Sequence, residues 1–252
     1  MPSKISSSGL AHLLQEAINL VLPPRCAATG EIVDRPGMLS PSFWKDLSFI
    51  DDPMCVTCGM PFSIEAPKGT LCAACLSDPP IFDQARSTVI YNDPSRQLIL
   101  GFKYGDRLQT VHTFIPWLLR AGSEMIDTCD VIIPVPLHKK RLWDRRFNQS
   151  AVIASALAAA SKKNISTDAL VRLRATIQQK GLSRAERKKN VEGAFAVPAI
   201  RRERLKKKNV LLIDDVYTSG ATINECCRIL KKSGADKVFV LTVARVTRED
   251  FQ

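Results

Sequence analysis

Val210-Leu211-Leu212-Ile213-Asp214-Asp215-Val216-Tyr217-Thr218-Ser219-Gly220-Ala221-Thr222 decides how this chain reads. Val210 to Ile213 is a continuous apolar run, the pattern of a parallel strand buried on both faces. Two carboxylates stand at its C-terminal end, followed by small, hydroxylated and glycine residues. From Ile223 to Lys232 the pattern is helical, with Ser233-Gly234 as its stop. Lys237 to Val243 is again a strand pattern. The order is strand, acid pair, tight loop, helix, strand.

A loop at a helix N-terminus suits a phosphate, because unpaired N–H groups and the helix dipole favour an anion. Gly220 allows close backbone approach. Thr218, Ser219 and Thr222 add hydroxyl donors. Two carboxylates beside a phosphate would repel it unless they hold something else. Mg²⁺ and sugar hydroxyls both want carboxylate oxygens. The competing reading is a Rossmann-like crossover with two incidental acids. The whole string resembles the signature of type I phosphoribosyltransferases, which bind phosphoribosyl pyrophosphate (PRPP). That resemblance implies that the Val216–Thr222 segment, chiefly Thr218, Ser219, Gly220, Ala221 and Thr222, holds the 5′-phosphate. It also implies that Asp214 and Asp215 hold the ribose hydroxyls, with Mg²⁺ as cofactor.

The 252 residues allow one α/β domain and a small appendage. The 45% apolar content is that of a globular protein, and no apolar run reaches the ~20 residues of a membrane span. Leu10 to Leu22 reads as an amphipathic helix stopped by Pro23-Pro24. His12, Gln15, Glu16 and Asn19 interrupt it, which argues against a secretory signal and for a cytoplasmic protein. Net charge is +11, unevenly placed. Residues 138–208 hold 20 Lys/Arg against 5 Asp/Glu; the remainder holds 16 against 20. Such a basic region neutralises a polyanionic substrate or grips nucleic acid, or is only a solvated surface.

Cys55-Val56-Thr57-Cys58 and Cys72-Ala73-Ala74-Cys75 have the spacing of a four-cysteine zinc ribbon. Some thirty residues cannot bury a core, so the metal would supply folding energy, and four ligands leave no open position for chemistry. A disulfide reading would need an oxidising compartment. Pro23 to Trp44 shows no periodic element. Cys129, Cys226 and Cys227 read as buried small hydrophobes.

Arg86 to Tyr91 reads as a strand. Ser95 to Lys103 reads as a helix with Leu98, Ile99 and Phe102 on one face. A further helix is expected between Leu108 and Ala121, kinked or divided by Pro116. Val131 to Pro136 is a buried strand leading into a basic loop of Leu137, His138, Lys139, Lys140 and Arg141. Such a loop, at a strand's C-terminal edge, suits pyrophosphate. Val135, Pro136, Leu137, His138 and Lys139 are therefore candidate pyrophosphate contacts, with Arg145 or a residue of 172–190 as a neutralising cation. Ala151 to Ala160 reads as a helix and Leu170 to Arg174 as a strand. Residues 176–195 read as a polar, cationic mobile hood.

Taken together, these motifs resemble the ComF family of competence-type proteins: the two cysteine pairs, Phe102-Lys103-Tyr104, Pro134-Val135-Pro136-Leu137-His138, Arg145-Arg146-Phe147-Asn148-Gln149, Arg174-x-Thr176-x-Gln178 continuing to Asn190-Val191, and the PRPP loop. The resemblance implies a type I phosphoribosyltransferase-like parallel sheet flanked by helices, with a small N-terminal zinc module. Boundaries are expected at 1–50 (helix and cysteine-poor segment), 51–80 (four-cysteine zinc module) and 81–252 (phosphoribosyltransferase-like domain). It further implies a role in DNA uptake or use of scavenged DNA. This chain departs twice. Where the family often carries a further cysteine set, only Cys26 stands, with Thr29, Ser40 and Phe43 at the partner positions; one zinc is expected, not two. Where the family reads Arg-Gly-Phe-Asn-Gln, Arg146 replaces the glycine, which is costly if the position needs positive φ.

Two function classes follow. One is a phosphoribosyltransferase in which Asp214, Asp215 and Arg145 serve pyrophosphate displacement by positioning and charge. The other is a non-catalytic adaptor for single-stranded DNA or a helicase-like competence protein, with a PRPP-responsive regulator as a variant.

Overall fold

The computed structural model describes residues 22–104, 107–176 and 183–247. The expected Leu10–Leu22 helix lies outside them but for its last residue.

Residues 24–33, expected to be irregular, form a tight knuckle. Val33 N donates to Pro24 O (2.9 Å) and Gly30 N to Cys26 O (2.9 Å). Helix α1 (Pro41–Lys45) follows, its N-terminus set by Pro41. Residues 48–50 run antiparallel to the first strand, Ile50 N donating to Thr88 O and Ile90 N to Ser48 O. A second knuckle (53–62) and α2 (Ala73–Ser77) carry the two cysteine pairs.

Then come β1 (Gln84–Ile90), α3 (Asp93–Tyr104), a 3-10 turn (Leu108–Thr110), α4 (Val111–Ala121), α5 (Ser123–Thr128) and β2 (Val131–Pro134). Of the two effects expected of Pro116, a kink or a division, division does not occur: α4 is continuous. The helix buries Val111, Phe114, Ile115, Trp117 and Leu118. At about 2 kcal/mol each, that burial exceeds the ~3 kcal/mol cost of an internal proline. The basic stretch after β2 is helical rather than a loop: α6 (Lys139–Arg145). Next are α7 (Gln149–Ser161), capped by Asn148 accepting from Ser150 N, β3 (Asn164–Ile165) and β4 (Val171–Arg172). The segment expected to be a hood forms, in its described part, α8 (Arg184–Val191) and β5 (Phe195–Ala196), the latter antiparallel to β4. Gly193 N donates to Glu225 Oε1 (2.9 Å), and Val191, Ala194 and Phe195 are buried. Residues 177–182, also expected in the hood, are outside those described. The chain ends with α9 (Ala199–Leu205), β6 (Val210–Tyr217), α10 (Ala221–Lys232) and β7 (Val238–Arg245).

The sheet is five parallel strands in the order β1-β7-β6-β2-β3. Alternation splits the apolar run of β6 between two cores. Leu211 and Ile213 join Leu241, Phe102, Phe114 and Leu157 on one face. Val210 and Leu212 join Val240, Cys226, Cys227 and Leu230 on the other. Cys129, Cys226 and Cys227 are buried, as expected of small hydrophobes. Among the described residues no helix is long and apolar enough to cross a membrane.

Candidate functional site

The strand β6 runs past its apolar part, so Asp214 and Asp215 lie within it and Thr218 to Gly220 form the turn into α10. Gly220 has φ +76°, and a Cβ there would lie 2.6 Å from the Tyr217 hydroxyl. Any other residue would be strained and obstructed, so the loop backbone can pass this tightly only as glycine.

One cavity of about 580 Å³ joins the two halves of the sequence motif. Asp214, Asp215, Val216, Thr218, Gly220 and Thr222 line it, with Val135 and Leu137 from the end of the neighbouring β2 and the cations Lys103, Arg145 and Arg172. Ser219 and Ala221 belong to the same turn but face the far side of the loop, toward α8 and Asn224. Pro136, His138 and Lys139 do not line the cavity. Of the expected pyrophosphate contacts, the structure brings Val135 and Leu137 to it.

Asp214 is half-buried in the cavity wall. It accepts from Ser150 Oγ (2.9 Å) and from Asp215 N (2.9 Å). Burial, and next the charge of Asp215, push its carboxyl up to about 7, against those two hydrogen bonds and Lys103. Asp215 takes the Lys103 ammonium at 2.6 Å. Burial works against the charge on Lys103, but the Asp215 carboxylate outweighs it and raises its pKa. Arg145 donates to the Tyr104 hydroxyl (2.9 Å) and to Gln149 Oε1 (3.3 Å), and its guanidinium lies over the Tyr104 ring. Lys103, Tyr104 and Ser150 were not expected in the site. Phe102-Lys103-Tyr104 was visible as a motif, but nothing local says that it meets an acid 112 residues later.

Mg²⁺ held directly by both carboxylates does not fit this arrangement. One acid is already neutralised by an ammonium, and burial beside that acid makes a second full charge on the other costly. Arg146, where a glycine was expected, has φ +63°, so the position does demand the left-handed region. The chain bears the cost of an L-residue there, about 1 kcal/mol.

The second site is the cysteine cluster. The Sγ atoms of Cys55, Cys58, Cys72 and Cys75 lie within 4.8 Å of one another, all buried. Tetrahedral zinc with ~2.3 Å Zn–S bonds needs sulfurs about 3.8 Å apart, and Cys58 and Cys72 stand at 3.6 Å. Cys72 N donates to Cys55 Sγ (3.3 Å), the amide-to-sulfur bond of a metal knuckle. The four residues fit a structural zinc ion, which would hold the ribbon together.

Comparison with known proteins finds a family match for each part of the chain. The family described as "Double zinc ribbon domain" matches residues 17–81, and "Phosphoribosyl transferase domain" matches residues 151–249. The DNA utilization protein YhgH of Shigella flexneri is 30% identical over 201 residues, 77% of this chain and 85% of that protein. The chain belongs to the ComF family. Other ComF relatives are Competence protein F of Haemophilus influenzae, 29% identical over 77% of this chain and 85% of its own length, and Competence protein ComFC of Bacillus subtilis strain 168, 29% identical over 79% and 80%. Among solved structures, orotate phosphoribosyltransferase from Aeropyrum pernix aligns over 63% of this chain and 68% of its own at 19% identity, with a TM-score of 0.36. The fold assignment rests on strand order and on the family matches. For a double ribbon, this ComF chain has one sulfur ligand set among the described residues.

Proposed function

We propose that this ComF protein binds PRPP, acting in the cytoplasm in DNA uptake or the re-use of scavenged DNA, as the names of its relatives suggest. The single observation that carries this reading is the shared cavity: both aspartates and the glycine turn open into it. The 5′-phosphate would meet the N–H groups at the start of α10, with hydroxyls from Thr218 and Thr222. The ribose hydroxyls would donate to Asp214 and Asp215. The pyrophosphate would lie toward Val135 and Leu137, with Arg145 and Arg172 as counter-charges. Displacement of pyrophosphate would build positive charge on the sugar, which the acid pair stabilises. The proposed division of the chain is 1–50, 51–80 and 81–252, with chemistry confined to the last.

Isothermal titration with PRPP tests this. Asp214→Asn/Asp215→Asn and Thr222→Ala should each weaken binding, the acid pair by about 100-fold, the worth of two charge-assisted hydrogen bonds. Unchanged affinity in both variants overturns the reading. A diol donates to an ionised carboxylate, so affinity should also rise as pH increases through about 7, where Asp214 loses its proton. Asp214→Asn should flatten that rise.

A second reading draws on α6. Trp143 is 86% exposed on this basic helix, whose end reaches the cavity through Arg145. An exposed indole on a helix rich in Lys and Arg suits stacking on a base of single-stranded DNA. Trp143→Ala should weaken oligonucleotide binding about 10-fold at fixed salt; no change in affinity sinks that reading and leaves the PRPP proposal intact.

A further inference from the structure

Lys103 is supplied from outside the phosphate-loop unit. It is the last but one residue of α3, whose Leu98, Ile99 and Phe102 are buried. The Phe102 ring packs edge-on against Phe114 (5.6 Å) and Phe147 (5.9 Å). That anchoring fixes the helix tip and aims the next side chain at the acid pair. The Lys103 and Asp215 side chains are only 16% and 15% exposed. The tip is also tied laterally: Gln149 Nε2 donates to Lys103 O (3.4 Å), and Arg145 donates to the Tyr104 hydroxyl. Around the pair stand Lys103 and Tyr104 of α3, Arg145 of α6, Gln149 and Ser150 of α7, and Arg172 of β4.

Two adjacent carboxylates at a strand end would by themselves attract a hard divalent cation. Here an ammonium on a fixed helix already sits on one of them. A metal ion entering the pair would have to displace it and leave a mostly buried charge unpaired, which is strongly unfavourable. We infer that Lys103 is the built-in counter-cation of the Asp214–Asp215 pair and keeps a free divalent ion from binding there. Any divalent ion that takes part at this site arrives on the phosphates of the ligand. The inference deepens the PRPP proposal by stating how the site's charge is balanced, and it rests on that proposal only for the identity of the ligand.

The test uses Mn²⁺ alone, titrated into the full-length zinc-loaded protein and followed by the electron paramagnetic resonance signal of the free ion. Thiolate ligands do not favour Mn²⁺, so the cysteine cluster does not interfere. Wild type should bind no more Mn²⁺ than Asp214→Asn/Asp215→Asn does. Lys103→Met should gain one site, at least tenfold tighter than any in wild type, and Lys103→Arg should not. Lys103→Gln serves if the methionine variant fails to fold. A wild-type Mn²⁺ site that the double asparagine variant loses overturns the inference, and so does a folded neutral variant that gains nothing. Because no sugar phosphate is present, these outcomes are independent of the PRPP titration. Failure of PRPP to bind would sink the earlier reading and leave this one standing.

Discussion

The two knuckles at the N-terminus have nearly the same backbone and different means of support. In the first, Cys26 N donates to Glu31 O (2.7 Å), Gly30 N to Cys26 O (2.9 Å) and Val33 N to Pro24 O (2.9 Å). In the second, Cys55 N donates to Met60 O (2.8 Å), Gly59 N to Cys55 O (2.9 Å) and Phe62 N to Pro53 O (2.9 Å). Gly30 and Gly59 both take positive φ, +76° and +68°. Each knuckle is completed by a five-residue helix whose N-cap is Ser40 in one and Cys72 in the other. The ligand set Cys55, Cys58, Cys72, Cys75 thus has Cys26, Thr29, Ser40, Phe43 as its counterpart. Where the second knuckle brings sulfur to sulfur, the first brings Thr29 Oγ1 to Ser40 Oγ at 3.2 Å. Phe43 is buried in the core that holds Leu39, Phe114 and Trp117.

A knuckle backbone therefore does not need a metal when a large apolar surface is available to it. The first knuckle lies on the face of the sheet covered by α3, α4 and α7 and can borrow that core. The second lies on the opposite face, where Arg245 reaches into it. That buried guanidinium donates to Cys58 O, lies 4.0 Å from Cys58 Sγ and stacks over Tyr217 at 4.6 Å. A tetrathiolate zinc centre is anionic overall, which gives a buried arginine its reason to be there. The first knuckle keeps an amide setting suited to sulfur: although burial opposes it, hydrogen bonds from Thr29 and neighbouring amides bring the Cys26 thiol down to about 7.

This contrast can be broken at several points. The largest effect should follow removal of the second knuckle's metal. Chelation, or Cys75→Ser, should unfold residues 51–80, since structural zinc supplies on the order of 10 kcal/mol to such modules. Hydrogen exchange should show the first knuckle still protected, and metal analysis of the untreated protein should give one zinc per chain. Loss of protection in both knuckles together would refute their independence. Next, Phe43→Ala should destabilise the protein by about 3–4 kcal/mol in chemical denaturation, the cost of emptying a core aromatic, without releasing zinc. Arg245→Met should cost about 2–3 kcal/mol by leaving thiolate charge uncompensated and should speed zinc release to a chromogenic chelator; Phe43→Ala should not. The smallest effect belongs to Ser40→Ala, about 1 kcal/mol for one buried hydroxyl, which touches those of Thr29 and Ser42. A loss several times larger would mean that the hydroxyl pair, not Phe43, replaces the metal.

Some of this was plain in the residues. Four cysteines in two pairs, an apolar run ending in two acids, and a small-residue turn before a helix each have a local reason, and each is found where it was expected. The α8 helix was less visible, because its residues are cationic and without an apolar stripe. Its signal was Ser183-Arg184-Ala185-Glu186, a capping box that the structure closes in both directions. The first knuckle was hidden because a threonine, a serine and a phenylalanine stand where the second knuckle has cysteines, and none of them marks a turn pair by itself.

The order of strands and turns, the single sulfur cluster and the glycine at the bend were set by the chain's own local chemistry: periodicity, ligand spacing and backbone freedom act over a few residues. The pairing of Lys103 with Asp215, the seat of Arg245 against Cys58 and the core that receives Phe43 were decided only in three dimensions. They join residues far apart in sequence, and their energies come from burial and from low-dielectric charge contact, which exist only after the sheet has closed over both its faces.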